Sequence, residues 1–101
     1  MTQQELIKFI EQEHKIQLDI IKKKNSDYSE VVDPFSNFRM FGEIGFAVRL
    51  SDKLSRVKRL LEKGSAEVDE SLEDTLRDVA NYANLLLAYR KDEQKNIKYQ
   101  R

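Results

Sequence analysis

Apolar residues recur at intervals of three and four along three stretches of the chain, and this spacing constrains the fold more than any other feature. Leu6, Phe9, Ile10, Ile16, Ile20 and Ile21 share one helical face. Ala47, Leu50, Leu54, Val57 and Leu61 share a second, and Leu72, Leu76, Val79, Ala83, Leu86 and Leu87 a third. A half-buried strand would alternate apolar and polar residues at period two, and no such run is present. The pattern predicts an all-α fold of three main helices, with a long ordered aromatic loop between the first and second.

Local signals place the helix ends. Thr2 and Glu5 have the spacing of a capping box, in which the threonine oxygen accepts an orphan amide and the glutamate reaches back to the cap. The first helix is therefore expected from Thr2 or Gln3 to about Lys24, its apolar face interrupted by Glu13, His14 and Gln17. The second is expected from Glu43 to Lys63, closed by Gly64 in the left-handed conformation. Ser71 with Asp74 suggests the start of the third, which continues beyond Tyr89. Residues 1–95 read as one domain and 96–101 as a polar tail with little to bury. Leu85, Leu86 and Leu87 are consecutive, so the third helix carries apolar groups around more than one stripe. A second copy would cover the surplus, and an oligomeric helical bundle is expected.

The balance of charge narrows the partners. Eighteen basic residues offset eighteen acidic ones, so no global field draws the chain to nucleic acid or anionic lipid. With no cysteine, disulfides, thiol nucleophiles and cysteine-ligated metal sites are excluded. The N-terminus lacks the basic-then-apolar order of a signal peptide, and no apolar run approaches the ~20 residues of a membrane span. A cytoplasmic protein without a membrane segment is the expectation, in the host cytoplasm if the source is a phage.

Two charged rows could carry chemistry. Glu70, Asp74 and Asp78 fall at intervals of four on one side of the third helix, and carboxylates so spaced offer hard oxygen ligands to a divalent cation. With Asp52 from the second helix they form a candidate magnesium set, in which the ion would keep several waters and take phosphate oxygens of a substrate. Glu43 is a further acid that could approach from the same helix. Arg49, Lys53 and Arg56 make a basic row suited to phosphate. The alternative is that the acidic and basic rows neutralise each other as salt bridges between helices. Neither a GxxxxGK phosphate loop nor a GxGxxG fingerprint is present, so helices and the long loop would have to hold any nucleotide.

Three ordered segments, DYSEVVDPFSNF (27 to 38), RLSDKLSR (49 to 56) and ESLEDTLRDVANY (70 to 82), resemble a phage and prophage family called the nucleotide modification associated domain. The resemblance covers residues 20 to 90. It marks Asp27, Tyr28, Asp33, Pro34, Phe35, Asn37 and Phe38 in the loop, then Arg49, Asp52, Lys53 and Arg56, then Glu70, Asp74, Asp78 and Tyr82, and it implies nucleotide-related work. The third segment also looks like the acidic helix of all-α nucleoside triphosphate pyrophosphohydrolases of the MazG and dimeric dUTPase group, which bind magnesium through acids on two helices. Their first-helix ExxE pair has no clear counterpart in RLSDKLSR; only Asp52 within it and Glu43 earlier on the same helix stand in.

Three functions follow from these residues. The first is a magnesium-dependent nucleotide pyrophosphohydrolase or modification accessory, with Asp27, Tyr28, Asn37 and Phe38 at the base and Tyr82 nearby. The second is a non-catalytic oligomer that captures nucleotides or cyclic nucleotide signals of host defence. The third is a protein–protein adaptor. Within the loop, Asp33-Pro34 favours a turn, and Phe35, Phe38 and Phe41 step by three. Phe35 and Phe38 are expected as plugs over the core, with Tyr28, Asn37 and Asp27 toward a ligand.

Overall fold

A computed structural model describes residues 1–27, 34–35, 38–64 and 66–99, with the side chains of 25–27, 66–70 and 96–99 outside that description. Among the described residues there are three helices and no strand: α1 (Gln3–Asp27), α2 (Gly42–Lys63) and α3 (Ala66–Tyr99). The chain divides into two compact units, residues 1–34 and 35–101. No described helix is long and apolar enough to cross a membrane.

In the first unit, the amide of Glu5 donates to Thr2 Oγ1 at 3.2 Å, and the Thr2 hydroxyl donates to Glu5 Oε1 at 3.1 Å. The expected cap forms, with the glutamate meeting the threonine hydroxyl. Leu6, Phe9, Ile10 and Ile16 are exposed, while Ile20 and Ile21 are half-buried.

The second unit is an antiparallel helical hairpin. Gly64, at φ 60° and ψ 33°, ends α2 in the left-handed conformation, and its amide points to Leu60 O at 3.5 Å. After this turn α3 starts at Ala66, five residues before Ser71. Ser71 therefore lies inside the helix, and its carbonyl accepts the Thr75 hydroxyl at 2.7 Å. Helical backbone also extends through the expected tail as far as Tyr99.

The register of the hairpin follows from four cross-pairs. Glu43 meets Arg90, Phe46 meets Tyr89, Lys53 meets Asp78 and Arg56 meets Thr75. Phe46 is fully buried, and it forms the core with Phe35 and Tyr89, against which Phe38, Tyr82, Leu85 and Leu86 pack. This seam is not the one the apolar spacing predicts. Ala47, Leu54 and Leu61 on α2, and Leu76, Ala83 and Leu87 on α3, are exposed. Leu50, Val57, Leu72, Val79 and Leu86 are half-buried. The aromatic rings supply the reason: Phe46, Tyr82 and Tyr89 bury more surface than the leucines, and they rotate each helix by about one residue, or 100°.

The segment entering α2 is a succession of tight turns. Phe35 O accepts the amides of Phe38 and Arg39 at 2.9 and 3.2 Å, and Phe38 O accepts those of Phe41 and Gly42 at 3.2 and 2.7 Å. Its three phenylalanines do not share a side. Phe35 is buried, Phe38 half-buried and Phe41 exposed, so the first two plug the core and the third points outward.

Candidate functional site

The outward turn of Phe41 opens a cleft on the outer side of α2. Phe38, Phe41, Ile44, Gly45, Val48, Arg49 and Asp52 line about 410 Å³. Phe38 forms its inner wall and is held from behind, stacked on Phe46 at 4.2 Å and 15° and edge-on to Tyr82 at 6.4 Å. Phe41 and Ile44 are highly exposed and make the outer wall. Gly45 is the floor. A Cβ at Gly45 would lie 2.8 Å from Phe41 Cβ, an atom too close to the backbone to swing aside, so the cleft depends on this residue having no side chain.

The aromatic end of the hairpin is anchored from both sides. Arg39 donates to Asp92 Oδ2 at 2.7 Å and to Glu93 Oε1 at 2.5 Å, and its guanidinium lies 5.9 Å from the Phe35 ring and 5.7 Å from Tyr89. Glu43 pairs with Arg90 at 3.2 Å. Gly42 adopts φ +59°, where a side chain is strained, and its missing Cβ would lie 3.7 Å from the Tyr89 hydroxyl.

The charged rows divide between two settings. Lys53 Nζ lies 3.0 Å from Asp78 Oδ2. Arg56 Nε donates to Thr75 Oγ1 at 3.3 Å, and Thr75 is buried. These three expected ligands, Lys53, Arg56 and Asp78, therefore engage in the interhelical seam. Arg49 and Asp52 instead sit at the rim of the cleft, and among the described residues neither has an ion-pair partner. Asp74 is exposed, with Arg77 at 3.8 Å.

Of the acids considered for magnesium, the described ones, Asp52, Asp74 and Asp78, do not form a group that could hold a metal. No group of three or more His, Asp or Glu side chains able to hold a metal occurs among the described residues, and the side chain of Glu70 lies outside them. Asp78 lies against Lys53 and Glu43 against Arg90. Of the loop residues considered for the base, Tyr28 and Asn37 lie outside the described residues, as does the side chain of Asp27. Phe38 lines the cleft, and Tyr82 supports it from behind.

Sequence reasoning did not single out Ile44, Gly45 and Val48, nor the anchoring role of Arg39. A signal for the first three was present. Phe41, Ile44, Gly45 and Val48 follow steps of three, one and three on a face away from the leucine stripe, and the glycine opposite Phe41 marks an indentation.

No curated protein and no solved structure matches the chain. A family model described as nucleotide modification associated domain 1 matches residues 24–88, which include the turn segment, the whole of α2 and α3 through Ala88. The cleft lies within that match, and the chain belongs to this nucleotide modification associated domain family.

Proposed function

We propose that the protein binds a nucleotide or nucleotide-derived small molecule in the α2 cleft, without chemically altering it. The carrying observation is the juxtaposition of two phenylalanine walls with an arginine at the rim, inside the family-matched segment. Its volume falls within the ~300–1,000 Å³ of small-molecule sites. A base stacks against Phe38 and Phe41, because every base has a π-face that an aromatic ring can cover. Arg49 takes the phosphate with its planar fork of donors. Asp52, one turn further along α2, accepts from a ribose hydroxyl or an exocyclic amine.

Binding is favoured over hydrolysis by the Lys53–Asp78 pair, which commits one of the candidate magnesium ligands to a lysine. A test is calorimetric titration of the full chain with a panel of nucleoside mono-, di- and triphosphates, with and without magnesium, followed by analysis of the recovered ligand. Saturable binding that needs no magnesium, is weakened by Arg49→Ala and returns the ligand intact is the expected result. Turnover that requires magnesium and disappears in Asp78→Ala would replace it with the pyrophosphohydrolase. No binding by any nucleotide would leave the cleft without this role.

A further inference from the structure

The exposed members of the leucine stripes, Leu54 and Leu61 on α2 and Leu76 and Leu87 on α3, are turned to a common side of the hairpin. Phe46 and Lys53 face α3, and Leu60 continues their seven-residue interval. Ala47, Leu54 and Leu61 are each the next residue, displaced by about 100° round the helix axis. On α3, Ser71, Thr75, Asp78, Tyr82 and Leu85 lie along the seam, and Leu72, Leu76, Val79, Ala83 and Leu86 again follow them by one residue. The two helices run antiparallel, so an equal rotation in the same sense carries both stripes to the same side of the hairpin. On α2 the opposite rotation gives Gly45 and Asp52, which line the cleft. The exposed leucines and the cleft thus lie on different sides of α2.

We infer that the apolar side is an isologous interface with a second copy of this chain, forming a four-helix bundle from two hairpins. Three properties favour that occupant. The α2 stripe steps 3, 4, 3, 4 from Ala47 to Leu61, and the α3 stripe steps 4, 3, 4, 3 from Leu72 to Leu86. This is the spacing of helices that interdigitate as knobs into holes.

The area also suits a dimer. The 22 residues of α2 span about 33 Å, and two helices side by side are about 20 Å wide, giving on the order of 650 Å² in projection. Corrugation of the side chains raises this toward the ~800 Å² per partner of a standard interface. Leu54, Leu61, Leu76 and Leu87 are 48% to 68% exposed, and monomers rarely leave a patch of this extent uncovered.

Polarity selects the occupant. The α1 stripe is broken at its middle by Glu13, His14 and Gln17, whereas the hairpin face is apolar from Leu61 and Leu72 to the Glu43–Arg90 pair, which supplies a polar rim. A second hairpin matches this face without burying charge. Association on this side leaves the cleft open on the other, so the dimer does not depend on nucleotide binding.

Sedimentation of the full chain across nanomolar to micromolar concentrations tests the interface. The wild type is expected at twice the chain mass, and Leu54→Glu combined with Leu76→Glu is expected to raise the dimer dissociation constant by on the order of 100-fold. Both leucines are exposed in the hairpin, so helical circular dichroism should be retained. Side-chain footprinting of the wild type gives a measure that needs no variant. Protection of Leu54, Leu61, Leu76 and Leu87 should increase with concentration. A wild-type monomer throughout, concentration-dependent protection confined to α1, or a dimer lost in Leu6→Glu with Phe9→Glu but kept in Leu54→Glu with Leu76→Glu would overturn the inference.

Discussion

The two ends of the α2–α3 hairpin are held by different physics. At the end where α2 begins, Phe35, Phe38, Phe46, Tyr82 and Tyr89 pack ring against ring beneath Arg39. Toward the Gly64 turn, the seam relies on Lys53–Asp78 and on Arg56 with Thr75. The aromatic end excludes water and fixes geometry, while the ionic end joins half-exposed charges whose attraction water largely offsets. A ligand site with defined walls therefore belongs at the aromatic end, and the cleft is found there. The difference also separates Arg49 from its neighbours: it lies on the same charged row as Lys53 and Arg56 but lines the cleft.

The largest expected effect tests the aromatic end itself. Phe46→Ala removes the fully buried ring on which Phe38 stacks, and the loss should be about 3–5 kcal/mol in denaturant unfolding. A loss below ~1 kcal/mol would mean that this end is not the better packed. Next is Arg49→Ala, which should weaken nucleotide binding by on the order of tenfold or more through loss of a charge-assisted contact, with the unfolding midpoint unchanged. Arg39→Ala should destabilise by roughly 1–2 kcal/mol, because two ion pairs and two ring contacts are lost together. The smallest effect is Lys53→Met, expected within about 1 kcal/mol of wild type. A larger change for Lys53→Met than for Arg39→Ala would reverse the ranking of the two ends.

Helix periods and caps were legible wherever the determinant was local. Gly64 marked the end of α2, and Thr2 with Glu5 marked the start of α1, because each acts within one turn of its own backbone. Ser71 misled, since a serine–acid pair inside a helix has the same spacing as one at its start. The seam was less legible for a different reason. Leucine spacing defines an apolar face but not what covers it, and Phe46 with Tyr82 and Tyr89 captured the hairpin contact instead. The resemblance in residues 27–82 pointed to the family, and the family match spans the same segments. It could not distribute the charged row, because Arg49, Lys53 and Arg56 differ only in rotation about α2 and in what α3 places opposite.

Titration of the nucleotide bound most tightly by the wild type into Arg49→Ala and Lys53→Ala, compared at one ionic strength, tests the assignment of the cleft most directly. The expected result is an affinity lowered by about tenfold or more in Arg49→Ala and within about twofold of wild type in Lys53→Ala. Equal affinity for Arg49→Ala and wild type, with the loss falling on Lys53→Ala, would contradict it and move the phosphate site to the interhelical seam.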